Sequence, residues 1–414
     1  MRNIRRRAAA LLMALGLLMP AAGLSAGEKN KEGLPTGNLA GFDGGSTWFG
    51  EGFAYDITDE EACWELLQKP ITVLNVSEKE VVYPRVTPGG EKVVNEWQGG
   101  SINGSLAAVH VLGGDEDGWT LIEGMDYYDR VIRGYVKTSL LKTVTPNAKY
   151  GIIINKLTQR LYMFVDGKLW SSCAVSTGLV NEEQPYNETA TGEYLVGSWV
   201  GGFDSEGMYC EMGIRFNGGD LLHQVPYVER ADGTKDFSKY GSQLGRKASH
   251  GCVRVARTAN DEGLCIKWLW ENLKKNTKVI IWDDDGRTLP YPEDDLALYY
   301  NPDGGSSYHA SATCRSVRDK YLPLTAFSYG ELETGVYAGL SACTSCIPAK
   351  RRAEIDQINQ ERAALGKLLQ NPAFTGEEVK GGIVTSGPRE EASPEGEAEN
   401  SGASAGEVTI TIKD

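Results

Sequence analysis

Two apolar runs, at residues 160–165 and 169–175, are separated by Asp166-Gly167. An Asp-Gly pair between runs of this kind is the strongest short-range signal for a tight hairpin. The pattern recurs. Residues 71–76, 106–112, 119–122 and 131–136 are further β-branched and aromatic runs, punctuated by Pro88-Gly89-Gly90, Gly113-Gly114 and Asp117-Gly118. With 50 glycines in 414 residues, the chain reads as mainly β with many turns. A hydrophobic share of 41% against a charged share of 24% is enough for packed cores and excludes wholesale disorder. The length implies two or three domains and a tail rather than one domain.

Arg2, Arg5, Arg6 and Arg7 precede an apolar run at 8–18, and the small residues Gly23, Ser25 and Ala26 follow. This is the layout of a secretory signal peptide over residues 1–26, with an uncleaved anchor as the alternative. The run is shorter than the roughly 20 residues a membrane span needs. The chain is therefore expected to be exported, to the cell envelope or the extracellular space, with no membrane span beyond the signal segment. Its net charge of −14 repels a phosphate backbone, which excludes non-specific nucleic-acid binding.

Residues 27–69 read as a linker, 70–143 as a first β-rich block and 148–283 as a second. One helix is expected after residue 252. Thr258 and Asp261 suggest its capping box, and Leu264, Trp268, Leu269 and Leu273 its apolar stripe. Residues 299–348 form a third, small unit. Residues 349–370, with Ile355, Ile358, Leu365 and Leu369, read as an amphipathic helix. The acidic tail, 376–414, is rich in Glu, Gly and Ser and is expected to be disordered.

Eight cysteines stand at 63, 173, 210, 252, 265, 314, 343 and 346. Their even number permits disulfides in an exported chain, but their spacing is not that of a small disulfide scaffold. Cys265 falls on the apolar side of the expected helix and reads as core. Cys252 follows Gly251, which lets the chain turn sharply. The N–H groups of Gly251 and Cys252 are placed to meet one acyl oxygen. A nucleophilic thiol also needs a base, since a free thiol ionises near pH ~8.5. The histidines are 110, 223, 250 and 309. His110 lies in the first block and His309 in the small unit, so His223 and His250 are the candidates. If that segment is a strand, His250 shares a face with Cys252.

Leu222-His223 followed by Ser249-His250-Gly251-Cys252-Val253-Arg254 resembles the signature of the L,D-transpeptidase catalytic domain of the YkuD type. Val175-Ser176-Thr177-Gly178 resembles the strand of that family ending in Thr-Gly. Thr189-Ala190-Thr191-Gly192-Glu193-Tyr194 resembles its Thr-Pro-Thr-Gly-aromatic turn, with Ala190 where proline is usual. The resemblance covers residues 148–283 and implies a β-sandwich with one helix and no cofactor for catalysis. Its partners are peptidoglycan stem peptides. By the resemblance, Cys252 attacks the carbonyl between the L-centred third residue and the terminal D-Ala of a stem tetrapeptide. His223 is then the general base, oriented by a neighbouring backbone carbonyl, and His250 orients the site or stabilises the oxyanion. Ser249, Gly251 and Arg254 bind substrate, Arg254 through its planar fork on a carboxylate. The amine of a second stem resolves the thioester in a transpeptidase, and water does so in an L,D-carboxypeptidase. A non-catalytic cell-wall-binding protein is the remaining alternative. The insert between His223 and Ser249, with Tyr227, Asp236, Tyr240 and Arg246, is longer than the family's and is expected to form a lid or a wall on the acceptor side. Upstream, Gly118-Trp119 and Gly134-Tyr135-Val136 resemble bacterial SH3-like domains. That implies a small β-barrel over 70–143, either binding wall peptides or packing beside the catalytic domain.

His309, Cys314 and the pair Cys343 and Cys346 supply one His and three Cys, the ligand set of a closed tetrahedral zinc site. Four protein ligands leave no open position, so such a zinc is structural. A disulfide within Cys343–Cys346, or one using Cys314, is the alternative in an oxidising compartment.

Overall fold

The structure is a computed structural model and describes residues 57–93, 101–126, 131–181, 187–205, 207–282 and 288–369, with 379–380 and 383–384. The chain divides into Met1–Gly44 and Gly45–Asp414, and all described residues belong to the second unit. The signal segment expected at 1–26 lies outside them. So does the tail from 376, except for Val379–Lys380 paired with Ile383–Val384.

The first element corrects the end of the linker expected over 27–69, of which residues 27–56 lie outside the described ones. Residues Glu60–Gln68 form helix α1, started by Asp59, whose carboxylate accepts the Ala62 N–H at 3.0 Å. Cys63 and Leu67, one turn apart, are buried among Ile153, Phe164, Ile280 and Trp282. Two core residues on nine give too short a stripe to stand out in a glycine-rich segment.

Seven short strands follow: β1 (Ile71–Leu74), β2 (Val81–Val82), β3 (Ile102–Asn103), β4 (Val109–Glu116), β5 (Trp119–Met125), β6 (Val131–Lys137) and β7 (Leu141–Val144). Among the described residues they form three small sheets: β1 with β7, β2 with β3, and the antiparallel meander β4-β5-β6. Single bridges link Val73 of β1 to Ala108, just before β4, and Tyr135 of β6 to Arg85, after β2. Ile102, Val109, Ile122 and Ile132 share one apolar core with the strands that follow, so the packing is continuous across residues 143–148.

The next strands are β8 (Tyr150–Asn155), β9 (Arg160–Val165), β10 (Lys168–Ser176), β11 (Gly192–Leu195), β12 (Trp199–Ser205), β13 (Met208–Arg215) and β14 (Leu221–Gln224). After them come β15 (Val228–Glu229), β16 (Lys235–Asp236), the one-turn α2 (Ser238–Gly241), β17 (Val253–Val255), α3 (Ile266–Asn272) and β18 (Lys278–Trp282). Nine of the strands make one curled sheet in the order β11-β18-β8-β9-β10-β17-β14-β13-β12. This single sheet replaces the two-sheet sandwich expected. Asp166 and Gly167, at φ of 48° and 87°, turn β9 into β10 as the Asp-Gly pair predicts. The β14–β17 and β18–β8 pairs are parallel, which requires crossovers. The insert after His223 supplies the first. Helix α3 lies in the connection from β17 to β18.

Helix α3 starts later than predicted. Its N-cap is Cys265, with no side-chain cap bond. Asn260 Oδ1 accepts the Leu264 N–H at 2.8 Å instead, and Gly263 turns at φ 98°. The polar cluster around Thr258 and Asp261 thus closes a turn and not a helix. Cys265, Leu264, Leu269 and Leu273 are buried as expected.

The C-terminal strands β19 (Ala297–Tyr300), β20 (Ser307–His309), β21 (Thr325–Ser328) and β22 (Ser341–Ala342) form a sheet in the order β21-β19-β20-β22. It packs around Leu298, Tyr308, Phe327, Tyr329 and Leu332. Helix α4 (Arg352–Leu369) follows close to its predicted bounds. Among the described residues no helix is long and apolar enough to cross a membrane.

Candidate active site

Strand pairing assembles the site. In the parallel β14–β17 pair, Leu222 lies opposite Val253 and His223 opposite Arg254. Side chains alternate along a strand, so Leu222 and Val253 enter the core while His223 and Arg254 share the other face. Cys252 immediately precedes β17 and falls on the His223 face. It is partly exposed there and packs against Phe203, Cys210 and Leu221. The Phe203 ring stands edge-on to His223, with centroids 5.3 Å apart.

His223 is buried, and its Nδ1 lies 2.7 Å from the Gln224 carbonyl oxygen. A carbonyl oxygen only accepts, so Nδ1 carries the proton and Nε2 of the neutral ring keeps its lone pair. Burial holds this imidazole down to about 3, although the Gln224 carbonyl pulls the other way. Burial also pushes the Cys252 thiol up, and the Asp220 charge adds to the push; the Leu221 backbone N–H and Arg254 oppose it. Both shifts favour the uncharged form of the group, thiol for Cys252 and imidazole for His223.

The turn before Cys252 is held from behind by both upstream motifs. The Ala248 and Ser249 N–H groups donate to the Thr177 carbonyl at 2.9 and 3.0 Å. Thr189 Oγ1 donates to the Gly251 carbonyl at 2.6 Å and accepts the Gly178 N–H at 2.8 Å. A Cβ at Gly178 would stand 1.7 Å from the Asn187 carbonyl oxygen, so only glycine fits there. Ser249 Oγ donates to the Cys252 carbonyl and receives the Gly251 N–H at 3.4 Å. Gly251 N–H is thereby turned back into its own loop instead of facing an acyl oxygen. His250 sits in the bend before β17, partly exposed, and not on a strand.

The family model of the L,D-transpeptidase catalytic domain (YkuD) matches residues 149–281. These residues are an L,D-transpeptidase catalytic domain. The family works by cysteine-dependent acyl transfer, and this part of the chain has the order of motifs that the sequence indicated. The chain is 29% identical over 167 residues to YciB of Bacillus subtilis (strain 168), a protein provisionally named an L,D-transpeptidase; the match takes in 36% of this chain and 78% of that one. Among solved structures it is similar to an L,D-transpeptidase from Stackebrandtia nassauensis (20% identity, TM-score 0.24, 34% of this chain and 58% of that chain). It is also similar to one from Mycobacterium tuberculosis H37Rv (15% identity, TM-score 0.27, 52% of this chain and 96% of that chain). The chain thus spans little more than half of the Stackebrandtia protein.

In the L,D-transpeptidase domain Arg254 is less open than the sequence suggested. It is buried, donates to Gln243 Oε1 at 2.7 Å and lies over the Tyr240 ring. Ser176 Oγ donates to the Gln243 carbonyl at 2.8 Å. Tyr240 and Gln243 belong to the insert, which therefore covers Arg254. Elsewhere in the insert, Tyr227 lies between the Tyr209 and Phe237 rings, Asp236 pairs with Arg230, and Arg246 reaches Glu354 of α4 at 2.8 Å. Sequence reasoning missed Phe203, Asp220, Arg215 and the role of Thr189. Only Thr189 stood in a recognised motif. A separate cavity of about 370 Å³, lined by Trp170, Ser172, Asn260, Glu262 and Cys346 among others, does not include Cys252 or His223.

Outside that domain the four residues singled out for a metal do come together. One ligand atom each of His309, Cys314, Cys343 and Cys346 lies within 4.8 Å of the others. Cys314 Sγ is 3.9 Å from Cys343 Sγ, and Cys346 Sγ is 3.7 Å from His309 Nδ1. Zinc–sulfur bonds of about 2.3 Å at tetrahedral angles put neighbouring ligand atoms about 3.5–3.8 Å apart. The separations fit a closed structural zinc site, and all eight cysteines are unbridged. Cys343 and Cys346 hydrogen-bond to each other, which holds the Cys343 thiol well below its usual range and Cys346 well above it, so the pair keeps one proton that a bound zinc would displace.

Proposed function

We propose that the protein is an exported peptidoglycan L,D-transpeptidase with Cys252 as nucleophile and His223 as general base. One observation carries the reading. The Gln224 carbonyl fixes the His223 tautomer so that Nε2 accepts, on the sheet face to which Cys252 belongs. His223 takes the thiol proton as sulfur attacks the carbonyl before the terminal D-Ala of a stem tetrapeptide. A carbon–sulfur bond forms, the amide carbon–nitrogen bond breaks, and the proton passes to the departing D-Ala amine. An acceptor amine from a second stem then attacks the thioester and returns the thiol.

The Cys252 N–H, with His250 beside the turn, serves the oxyanion, and Ser249 and Gly251 shape the turn under the substrate. Arg254 supports negative charge on sulfur from beneath the insert. It meets a substrate carboxylate directly only when Gln243 is displaced. The block at 70–143 is proposed as a small SH3-like module beside the domain. In its support, isolated bridges attach Ala108 to Val73 of β1 and Arg85 to Tyr135 of β6. The test is product analysis with a stem tetrapeptide. Cross-linked dimer with release of D-Ala supports transpeptidation. Free tripeptide without dimer identifies water as the acceptor and a carboxypeptidase. Wall binding with no turnover identifies a non-catalytic binder.

A further inference from the structure

We propose that Asp220 is a positioning residue for the nucleophile: its carboxyl, seated against Gly251, shapes the turn before Cys252, and its charge opposes thiolate formation there. The proposal rests on reading Cys252 as the nucleophile.

Asp220 closes the turn from β13 to β14. Its N–H donates to the Asn217 carbonyl at 3.0 Å, and its carbonyl accepts the Phe216 N–H at 3.2 Å. The residue is 1% exposed. Oδ2 accepts from Asn217 Nδ2 at 3.4 Å, while Oδ1 has no hydrogen-bond partner. A buried carboxylate oxygen without a donor is rare and calls for an explanation. Its position supplies one. A Cβ built on Gly251 would stand 2.8 Å from Oδ1, and Gly251 is at φ 119°. The carboxyl fills the space that glycine leaves open, one residue before the sulfur.

The charged groups around this carboxyl are few. Arg215 on β13 and Cys252 in the nucleophile turn act on it directly, and Asn217 bonds to it. Behind Arg215 stands Glu78, 3.9 Å from its Nε, an atom that also has no hydrogen-bond partner. Behind Cys252 stand Arg254 and, on β14, His223. Arg215 gives its Nη1 to the Gly218 carbonyl and forms no direct ion pair with Asp220. Burial therefore holds the Asp220 acid up to about 7, and Asn217 and Arg215 offset only part of this. Below neutrality the carboxyl is uncharged. As pH rises through neutrality it acquires a negative charge next to the sulfur, and the thiol proton becomes harder to remove.

The test is the alkylation of Cys252 by iodoacetamide, followed by mass spectrometry of its peptide from the full chain between about pH 5 and pH 10. In the wild type the rate rises over a broader range than one ionisation gives, because the two groups charge against each other. In Asp220→Asn alkylation is about tenfold faster well above neutrality, where the wild-type carboxyl is charged, about twofold faster near pH ~7 and unchanged near pH ~5. Equal rates in the variant and the wild type across this range overturn the proposal. If the variant does not fold, the wild-type curve decides, and a single-ionisation shape overturns it. Failure of the nucleophile reading is distinct: a carbapenem adduct then survives in Cys252→Ala, a measurement that does not involve Asp220.

Discussion

Thr189→Val keeps the shape of a wholly buried side chain and removes one oxygen. That oxygen has two partners. It donates to the Gly251 carbonyl at 2.6 Å and accepts the Gly178 N–H at 2.8 Å. Valine leaves both without a partner in a region closed to water. Each stranded buried group costs about 1–3 kcal/mol, so the pair costs about 2–6 kcal/mol. At about 2–4 °C per kcal/mol for a domain of this size, the melting temperature falls by roughly 4–24 °C. Thr189→Ser retains the oxygen and gives up one methyl group, at about 1 kcal/mol. The assay is thermal unfolding by circular dichroism, with the rate of carbapenem acylation measured on the same samples. The valine variant is expected to melt well below the serine variant and to acylate more slowly, since the turn carrying Cys252 has lost its rear support. If the two variants melt together and acylate at the wild-type rate, Thr189 does not hold that turn.

Further outcomes follow from other parts of the structure. Burial holds His223 down to about 3, against about 6.5 in an unfolded chain. The stability this ring contributes is thus complete above about pH 6.5 and is lost as pH falls toward 3. The stability difference between wild type and His223→Gln, measured in urea at successive pH values, should shrink over that window; a flat difference contradicts a buried neutral imidazole. Elemental analysis of the purified chain is expected to find one zinc, lost in Cys343→Ser, while acylation at Cys252 persists in both. Loss of acylation with the metal would make the site more than structural. Leu67→Ala opens a cavity against Ile153 and Trp282 and should cost about 2–5 kcal/mol in urea unfolding. No measurable cost would return residues 60–68 to the role of a linker.

The features legible in the sequence are those set by neighbours along the chain. Asp166-Gly167 specifies its own turn, because both residues adopt positive φ readily. Gly251-Cys252 marks a sharp turn, and the CxxC pair brings two ligands together by itself. Features that depend on distant approach were hidden. The side chain of Asp220 acquires meaning only when Gly251 arrives against it through the β14–β17 crossover. Arg254 reads as an open fork until the insert places Gln243 and Tyr240 over it. The start of α3 was misjudged for a related reason. Asn260 and Asp261 are good capping residues, but here they serve the Leu264 and Arg315 N–H groups. Helix α1 is capped by Asp59, and its two buried residues gain their place only because Gly151 leaves room for Leu67 on the sheet.

The central claim is that Cys252 carries the acyl group. Intact-protein mass spectrometry after exposure to a carbapenem, with peptide mapping of the modified site, tests it most directly. The account predicts one adduct per wild-type chain, located on the peptide containing Cys252, and none in Cys252→Ala. An adduct of the same mass in Cys252→Ala, or one mapped to any of the other seven cysteines in the wild type, would contradict it.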